Sequence, residues 1–305
     1  MVYSHHSHSG QFCMHAKGNL EEMVQAAIAR GMSTYALTEH MPRDIEDLYP
    51  EEVSAISKAE QFDENIDAFY EEAVRLREQY KANIKILIGF ESEWIRKSSV
   101  KLIESLQSKY PWDFFVGSVH HVKTVPIDFN RPTYETARVS AGGTDVQLFE
   151  SYFDAQYEMI QAIKPPIIGH FDLIKLLSDH PNENMRQWDS VWSKVERNLK
   201  AISEYGGVVE INSSALRKGL IEPYPSMEMC RTISLTENKT FLGLGGQLCL
   251  SDDAHTVEQV GTNYSKVFNI LEAAGIEQLV YFSDKDWSSM EVSTLIEKWD
   301  QREAA

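Results

Sequence analysis

The chain reads as an α/β protein built on a closed or nearly closed barrel of βα units. Three observations carry this. Short β-like runs alternate with helical segments along the whole length, which is the pattern of a parallel sheet with crossover helices. Side chains able to bind metal repeatedly follow the end of a β-like run, and in such a barrel all strand C-terminal ends open on one face. No linker, repeat or low-complexity tract divides the 305 residues, so a single domain over 1–305 is expected. The alternation gives seven or eight units, and a doubly wound open sheet is the alternative.

Residues 3–8 (YSHHSH) end a first strand. Residues 19–30 (NLEEMVQAAIAR) have helical spacing and are closed by Gly31. A strand at 34–38 (TYALT), a helix at 57–81, a strand at 84–90 (IKILIGF), a helix at 100–110 and a strand at 114–119 (FFVGSV) follow. Residues 122–146 carry Pro126, Pro132, Gly142 and Gly143, and read as an insertion loop. A helix at 147–163 is punctuated by Pro165 and Pro166 before a strand at 167–169. A helix at 187–205 ends at Gly206 and Gly207, and a strand at 208–211 follows. The rest reads as a helix over about 226–238, a glycine-rich strand region at 241–250, a helix at 257–274, a strand at 279–282 and a last helix over about 289–302.

The formal charge is −17, with no Lys/Arg run longer than two. Such a chain repels nucleic-acid backbones and anionic membranes. An anionic substrate would need concentrated local positive charge, which metal ions supply. The three cysteines, Cys13, Cys230 and Cys249, form no C-x-x-C pair, so no disulfide framework is expected and a reducing compartment, the cytoplasm, is. The polar, histidine-rich first fifteen residues read as no signal peptide. No window approaches the ~18 uninterrupted apolar residues of a membrane span.

The candidate ligands come from seven separated segments: His6 and His8, Glu39 and His40, Glu91, His120, His170, Glu210 and Asn212, and Asp253 and His255. Side chains two apart on a strand share a face. His6 and His8 therefore point together and His5 points away; Asp253 and His255 pair, and Asp252 points away. Parity does not separate Glu91 from Glu93, nor decide between His120 and His121. Imidazoles without paired thiols suit zinc, iron, manganese, nickel or copper, and a carboxylate can bridge two ions. So many ligands exceed the needs of one ion, which implies two or three close together.

These residues resemble the PHP (polymerase and histidinol phosphatase) family. The motifs are His6-Ser-His8, Glu39-His40, Gly89-Phe-Glu91, Gly117-Ser-Val-His120, Gly169-His170 and Asp253-Ala-His255. Within it the chain is similar to the fungal-type histidinol-phosphate phosphatases, through SHHSHSG at 4–10, TEHMPR at 38–43, GSVHHV at 117–122, GHFDL at 169–173, EINSSALRK at 210–218, EPYPS at 222–226 and LSDDAH at 250–255. The resemblance implies a distorted (β/α)7 barrel with three divalent ions, zinc, iron or manganese. One ion would take His6, His8, Glu91 and Asp253. A second would share Glu91 and take His120 and His170. A third would take His15, His40 and His255. The resemblance thus selects Glu91 over Glu93 and His120 over His121, and adds His15 from a loop. It makes Arg217 a phosphate clamp and Lys175 a second substrate contact, and leaves Glu39 to orient a ligand imidazole. The implied reaction is hydrolysis of L-histidinol phosphate in histidine biosynthesis by a metal-bridging hydroxide, with Arg217, Asp253 and His255 as the catalytic set. Competing readings are a PHP nuclease or nucleotide phosphatase, which an acidic chain disfavours, an amidohydrolase-type barrel, and a metal-binding scaffold without activity.

Overall fold

The computed structural model describes residues 2–49, 52, 60–231, 241–283 and 286–303. Its strands are β1 (Tyr3–Ser4), β2 (Thr34–His40), β3 (Lys85–Glu93), β4 (Phe114–Ser118), β5 (His121–Val122), β6 (Val125–Pro126), β7 (Ile167–Ile168), β8 (Val208–Asn212), β9 (Gln247–Ser251), β10 (Gln278–Ser283) and β11 (Asp286–Glu291). Among the described residues seven of these make one sheet, in the order β1-β2-β3-β4-β7-β8-β9. Every neighbouring pair in it is parallel. The last strand returns to the first through single bonds: His5 N donates to Leu250 O at 3.2 Å, Asp253 N to His6 O at 3.0 Å and His8 N to Ala254 O at 2.8 Å. The sheet is thus a nearly closed seven-stranded βα barrel, and the open doubly wound alternative is set aside.

Three segments differ from expectation. The 122–146 stretch is a β5–β6 hairpin followed by a helix, Arg131–Ala141, and the start of the next helix, Asp145–Ile163. Pro126 ends the hairpin's second strand, while Pro132, Gly142 and Gly143 punctuate helices. Asn130 caps the first helix, Pro132 sits in its first turn, where a missing N–H costs nothing, and Gly142 ends it with φ 129°. The expected strand at 279–282 is β10, but it pairs antiparallel with β11 outside the seven-stranded sheet. The polar sequence of β11 (DWSSME) gave no strand signal, and the last helix starts at Val292. The expected helix over about 226–238 is Met227–Cys230 in the described part, while 232–238 lies outside the described residues.

The barrel interior has two layers, and strand parity builds both. Ala36, Leu87, Phe114, Val116, Ile167, Val208 and Cys249 form an apolar layer, covered by Val280, Phe282 and Trp287 of the β10–β11 hairpin. Two or four positions further along the same strands come His40, Glu91, His120, Glu210 and Asp253, so the same faces turn polar at the C-terminal ends. The long outer helices bury apolar stripes on the outside of the sheet, such as Val191, Trp192, Val195, Leu199 and Ile202 of Asp189–Tyr205.

His5 joins three elements at the base of this interior. Its Nδ1 donates to Leu250 O at 3.1 Å, and its Nε2 accepts from Phe282 N at 3.0 Å. Its ring lies against Tyr3, Phe114 and Trp287. Burial lowers its pKa to about 4, outweighing the bond to Leu250 O, so it stays neutral. His5→Leu strands the buried Phe282 N–H without an acceptor. Urea unfolding should then show a loss of about 1–3 kcal/mol with metal content unchanged; a stability equal to wild type would remove His5 from the closure.

Candidate metal centre

Five carboxylates, Glu39, Glu91, Glu93, Glu210 and Asp253, are buried at the strand ends. Carboxylates hidden from water need cations or dense hydrogen bonding. Histidines fill the space between them in a regular way. His6 Nδ1 lies 3.1 Å from Glu210 Oε2, and His120 Nδ1 lies 2.9 Å from Glu93 Oε2. His255 Nδ1 lies 2.9 Å from the carbonyl of Asp253, and His8 Nδ1 faces Glu39 Oε2 at 3.5 Å. A carboxylate or carbonyl only accepts, so Nδ1 carries the proton and Nε2 offers its lone pair inward.

The Nε2 atoms then converge. His6 and His8 bring theirs to 3.1 Å of each other, and Asp253 Oδ1 stands 3.8 Å and 3.6 Å from them. His120 and His170 approach to 3.0 Å, with Glu91 Oε1 3.0 Å from His170 Nε2. His40 and His15 approach to 3.3 Å. Facing lone pairs at such distances repel unless a positive charge lies between them. Protons are shared unequally: although burial lowers a histidine pKa, Glu91, Glu210 and Asp253 lift His6 well above its ordinary value and Glu93 and Glu91 lift His120 to about 10, while burial first and neighbouring imidazoles next hold His8, His15 and His255 below theirs. A divalent ion answers the same demand, and an imidazole whose second nitrogen is held by a carboxylate is a common metal-ligand arrangement.

Four groups of donor atoms lie within 4.8 Å of one another: His6, His8 and Asp253; Glu91, His120 and His170; His8, His40 and Glu91; and Cys13, His15, His40 and His255. All nine expected ligands are therefore brought together. Glu91 is central, reaching His6 and His8 at 3.4 Å, His40 Nδ1 at 2.9 Å and His170 at 3.0 Å, and it accepts from Ser118 Oγ at 2.5 Å. Glu93 instead holds the Nδ1 atoms of His120 and His121, and so stands behind the ligand imidazole rather than beside Glu91. Glu210 is densely bonded: it accepts from His170 N, Asn212 Nδ2 and Ser251 Oγ as well as His6.

Local backbone serves this packing. His170 and Asp253 hold positive φ, 22° and 48°, a strained conformation for non-glycine residues. Arg217 braces the second: its Nη1 donates to Asp252 O at 2.8 Å and its Nη2 to Asp253 O at 2.5 Å. Gly169 is required by crowding. A Cβ there would lie 2.5 Å from Ser118 Oγ, the hydroxyl that bonds Glu91.

A cavity of about 510 Å³ opens over the cluster, within the usual range for small-molecule sites. Its lining includes His15, His40, Glu91, His120, His170, Asp253 and His255, with Arg217, Lys218, Tyr49, Asp128 and Phe129. Lys175 is not in that lining. Its ammonium is buried in an ion pair with Asp172 at 2.6 Å, above the Tyr224 ring, so it is committed to the core and the expectation of substrate contact is corrected. Lys218, the next residue after Arg217, is the second cation at the cavity. Sequence reasoning passed over Lys218 and Cys13. Each lies near a chosen residue, but a short helix turn and an irregular loop carry no parity by which to select them.

A seven-stranded βα barrel whose strand ends gather imidazoles and carboxylates defines a divalent-metal protein. The chain belongs to the PHP domain family, whose model matches residues 4–214, in the branch of the fungal-type histidinol-phosphatases. A Schizosaccharomyces pombe protein named "Probable histidinol-phosphatase" is 44% identical over 281 residues, covering 92% of this chain and 89% of its own. Histidinol-phosphatase of Saccharomyces cerevisiae is 35% identical over 315 residues, covering 93% and 92%. A crystal structure of histidinol phosphate phosphatase from Lactococcus lactis, complexed with zinc, L-histidinol and phosphate, matches with a TM-score of 0.70. It covers 94% of this chain and 98% of that one at 20% identity, a likeness of fold.

The central place of Glu91 has a measurable consequence. Glu91→Ala should lose more than one equivalent of bound metal per chain by elemental analysis, whereas His170→Ala should lose at most one. Equal losses would remove Glu91 from its shared position.

Proposed function

We propose that this chain is a metal-dependent phosphatase that hydrolyses L-histidinol phosphate to L-histidinol and inorganic phosphate, a cytoplasmic step of histidine biosynthesis. It would use three divalent ions, of zinc, iron or manganese. The observation that carries the reading is the gathering of nine candidate ligands at one rim, seven of them lining a cavity that also presents Arg217 and Lys218. The names of the two fungal relatives support the substrate. When bound, the ions supply Lewis acidity for water and charge for the phosphate oxygens.

The chain's own residues do the rest. His6, His8, Glu91 and Asp253 form one ligand set; Glu91, His120 and His170 a second; His15, His40 and His255 a third. Glu210 and Glu93 fix the imidazoles of His6 and His120 so that their Nε2 lone pairs stay turned inward, and Glu39 Oε2 faces His8 Nδ1 at 3.5 Å. Arg217 spends two donors on the carbonyls of Asp252 and Asp253 and presents the rest of its guanidinium to the cavity. Lys218 adds an exposed positive charge beside it. Both favour a phosphate dianion and its transition state over the product alcohol.

Recognition of the histidinol part falls to other residues of the lining. Tyr49 and Phe129 set their rings 5.8 Å apart, and Asp128, beside Phe129 in the lining, has a buried Oδ1 without a hydrogen-bond partner among the described residues. Flat rings beside a spare carboxylate oxygen suit an imidazole and an ammonium. A nucleic-acid substrate would need a basic groove, and the chain carries −17. Among the described residues no helix is long and apolar enough to cross a membrane.

Phosphate release by the metal-loaded protein should favour L-histidinol phosphate over p-nitrophenyl phosphate and a nucleotide monophosphate by at least about 100-fold in kcat/KM. Comparable slow release from all three would retain the phosphatase and discard the substrate. Asp128→Asn should raise KM for L-histidinol phosphate about tenfold, the loss expected of one charge-assisted hydrogen bond, and leave p-nitrophenyl phosphate unaffected. An equal effect on both substrates would place Asp128 in the scaffold.

A further inference from the structure

We propose that Cys13 is a thiolate ligand of one of the divalent ions, so that the group formed with His15, His40 and His255 is a site of one thiolate and three imidazoles that selects zinc. Cys13 Sγ lies 3.2 Å from His15 Nε2, and His15 Nε2 lies 3.3 Å from His40 Nε2. With a ring nitrogen of His255, these atoms all fall within 4.8 Å of one another. A tetrahedral zinc with bonds of about 2.05 Å to nitrogen and 2.3 Å to sulfur spaces neighbouring nitrogens by about 3.3 Å and nitrogen from sulfur by about 3.5 Å. The two short edges observed are close to that tetrahedron.

The chain aims the sulfur there. Ser9 is anchored through its N–H and hydroxyl to Glu39 Oε1, at 2.7 Å and 2.8 Å. Cys13 N then donates to Ser9 O, and Ala16 N to Cys13 O, which folds the loop over the cluster. The thiol is 6% exposed, yet its neighbour is an imidazole ring and not the apolar packing that receives Cys249. His255 Nδ1 and His40 Nδ1 face Asp253 O and Glu91, which leaves each ring's Nε2 for this position. Binding forms a metal–sulfur bond and releases the thiol proton to solvent, with no change of oxidation state. Soft thiolate favours zinc over manganese, whereas the other groups offer only nitrogen and oxygen. The centre would therefore not be uniform: one position would hold zinc while the others exchange with metal supply.

The inference rests on divalent-metal binding and not on the choice of substrate, so its test uses no substrate. The full chain is loaded with cobalt(II) and its near-ultraviolet spectrum recorded. A thiolate-to-cobalt charge-transfer band is expected in the wild type and should vanish in Cys13→Ser. Cys230 and Cys249 belong to no donor group among the described residues, so the wild-type band alone decides the matter if the variant does not fold. Zinc affinity of one ion in Cys13→Ser should fall at least tenfold, since loss of a mere outer-shell partner already costs roughly 10–100-fold. A cobalt-loaded wild type without the band, or a band that survives in folded Cys13→Ser, would overturn the assignment.

Discussion

Imidazole nitrogens that face one another at 3.0–3.3 Å, ringed by buried carboxylates, are the constraint on which the upper half of this barrel depends. In the pairs His6 with His8 and His120 with His170, one partner, His6 or His120, cannot donate while its other nitrogen gives its proton to Glu210 or Glu93. The carboxylates compound the demand, because Glu91 and Asp253 lie at the centre with charge that burial penalises. Cations resolve both problems at once. Glu91 is the hinge of the arrangement, since it lies within reach of imidazoles from four other segments of the chain.

The rest of the scaffold follows from delivering those groups. A parallel barrel places every strand end on one rim, so residues far apart in sequence meet without long loops. The apolar layer beneath, closed by the β10–β11 hairpin, keeps water from entering the cluster from the base of the barrel. Tight spots are met by glycine, as at Gly169, and by strained backbone at His170 and Asp253. Arg217 braces the scaffold while lining the cavity, because the carbonyls it holds belong to the segment that presents Asp253.

Much of this was legible in the sequence because strand parity and strand-end position are local properties. His6 with His8 and Asp253 with His255 could be read from a two-residue period, and His40, Glu91 and His170 from their place at strand ends, while the choice of His120 over His121 came from the resemblance. Glu91 against Glu93 could not, since both face inward; the difference lies in Ser118 and His121, supplied by β4 and β5. His15 and Cys13 sit in an irregular loop whose course depends on Ser9 and Glu39, and only the resemblance pointed to His15. Lys175 failed because its fate was decided by Asp172 three residues earlier, a partner that competes with any substrate. The helix at Arg131–Ala141 was hidden by the residues that delimit it.

Anomalous diffraction at the zinc absorption edge, on crystals of the zinc-loaded protein, tests the central claim most directly. Metal peaks are expected bounded by His6, His8 and Asp253, by Glu91, His120 and His170, and by Cys13, His15, His40 and His255, with Nε2 facing the metal at His6, His8, His120 and His255. Peaks elsewhere in the chain, or coordination of His6 or His120 through Nδ1 with Glu210 or Glu93 displaced, would contradict it.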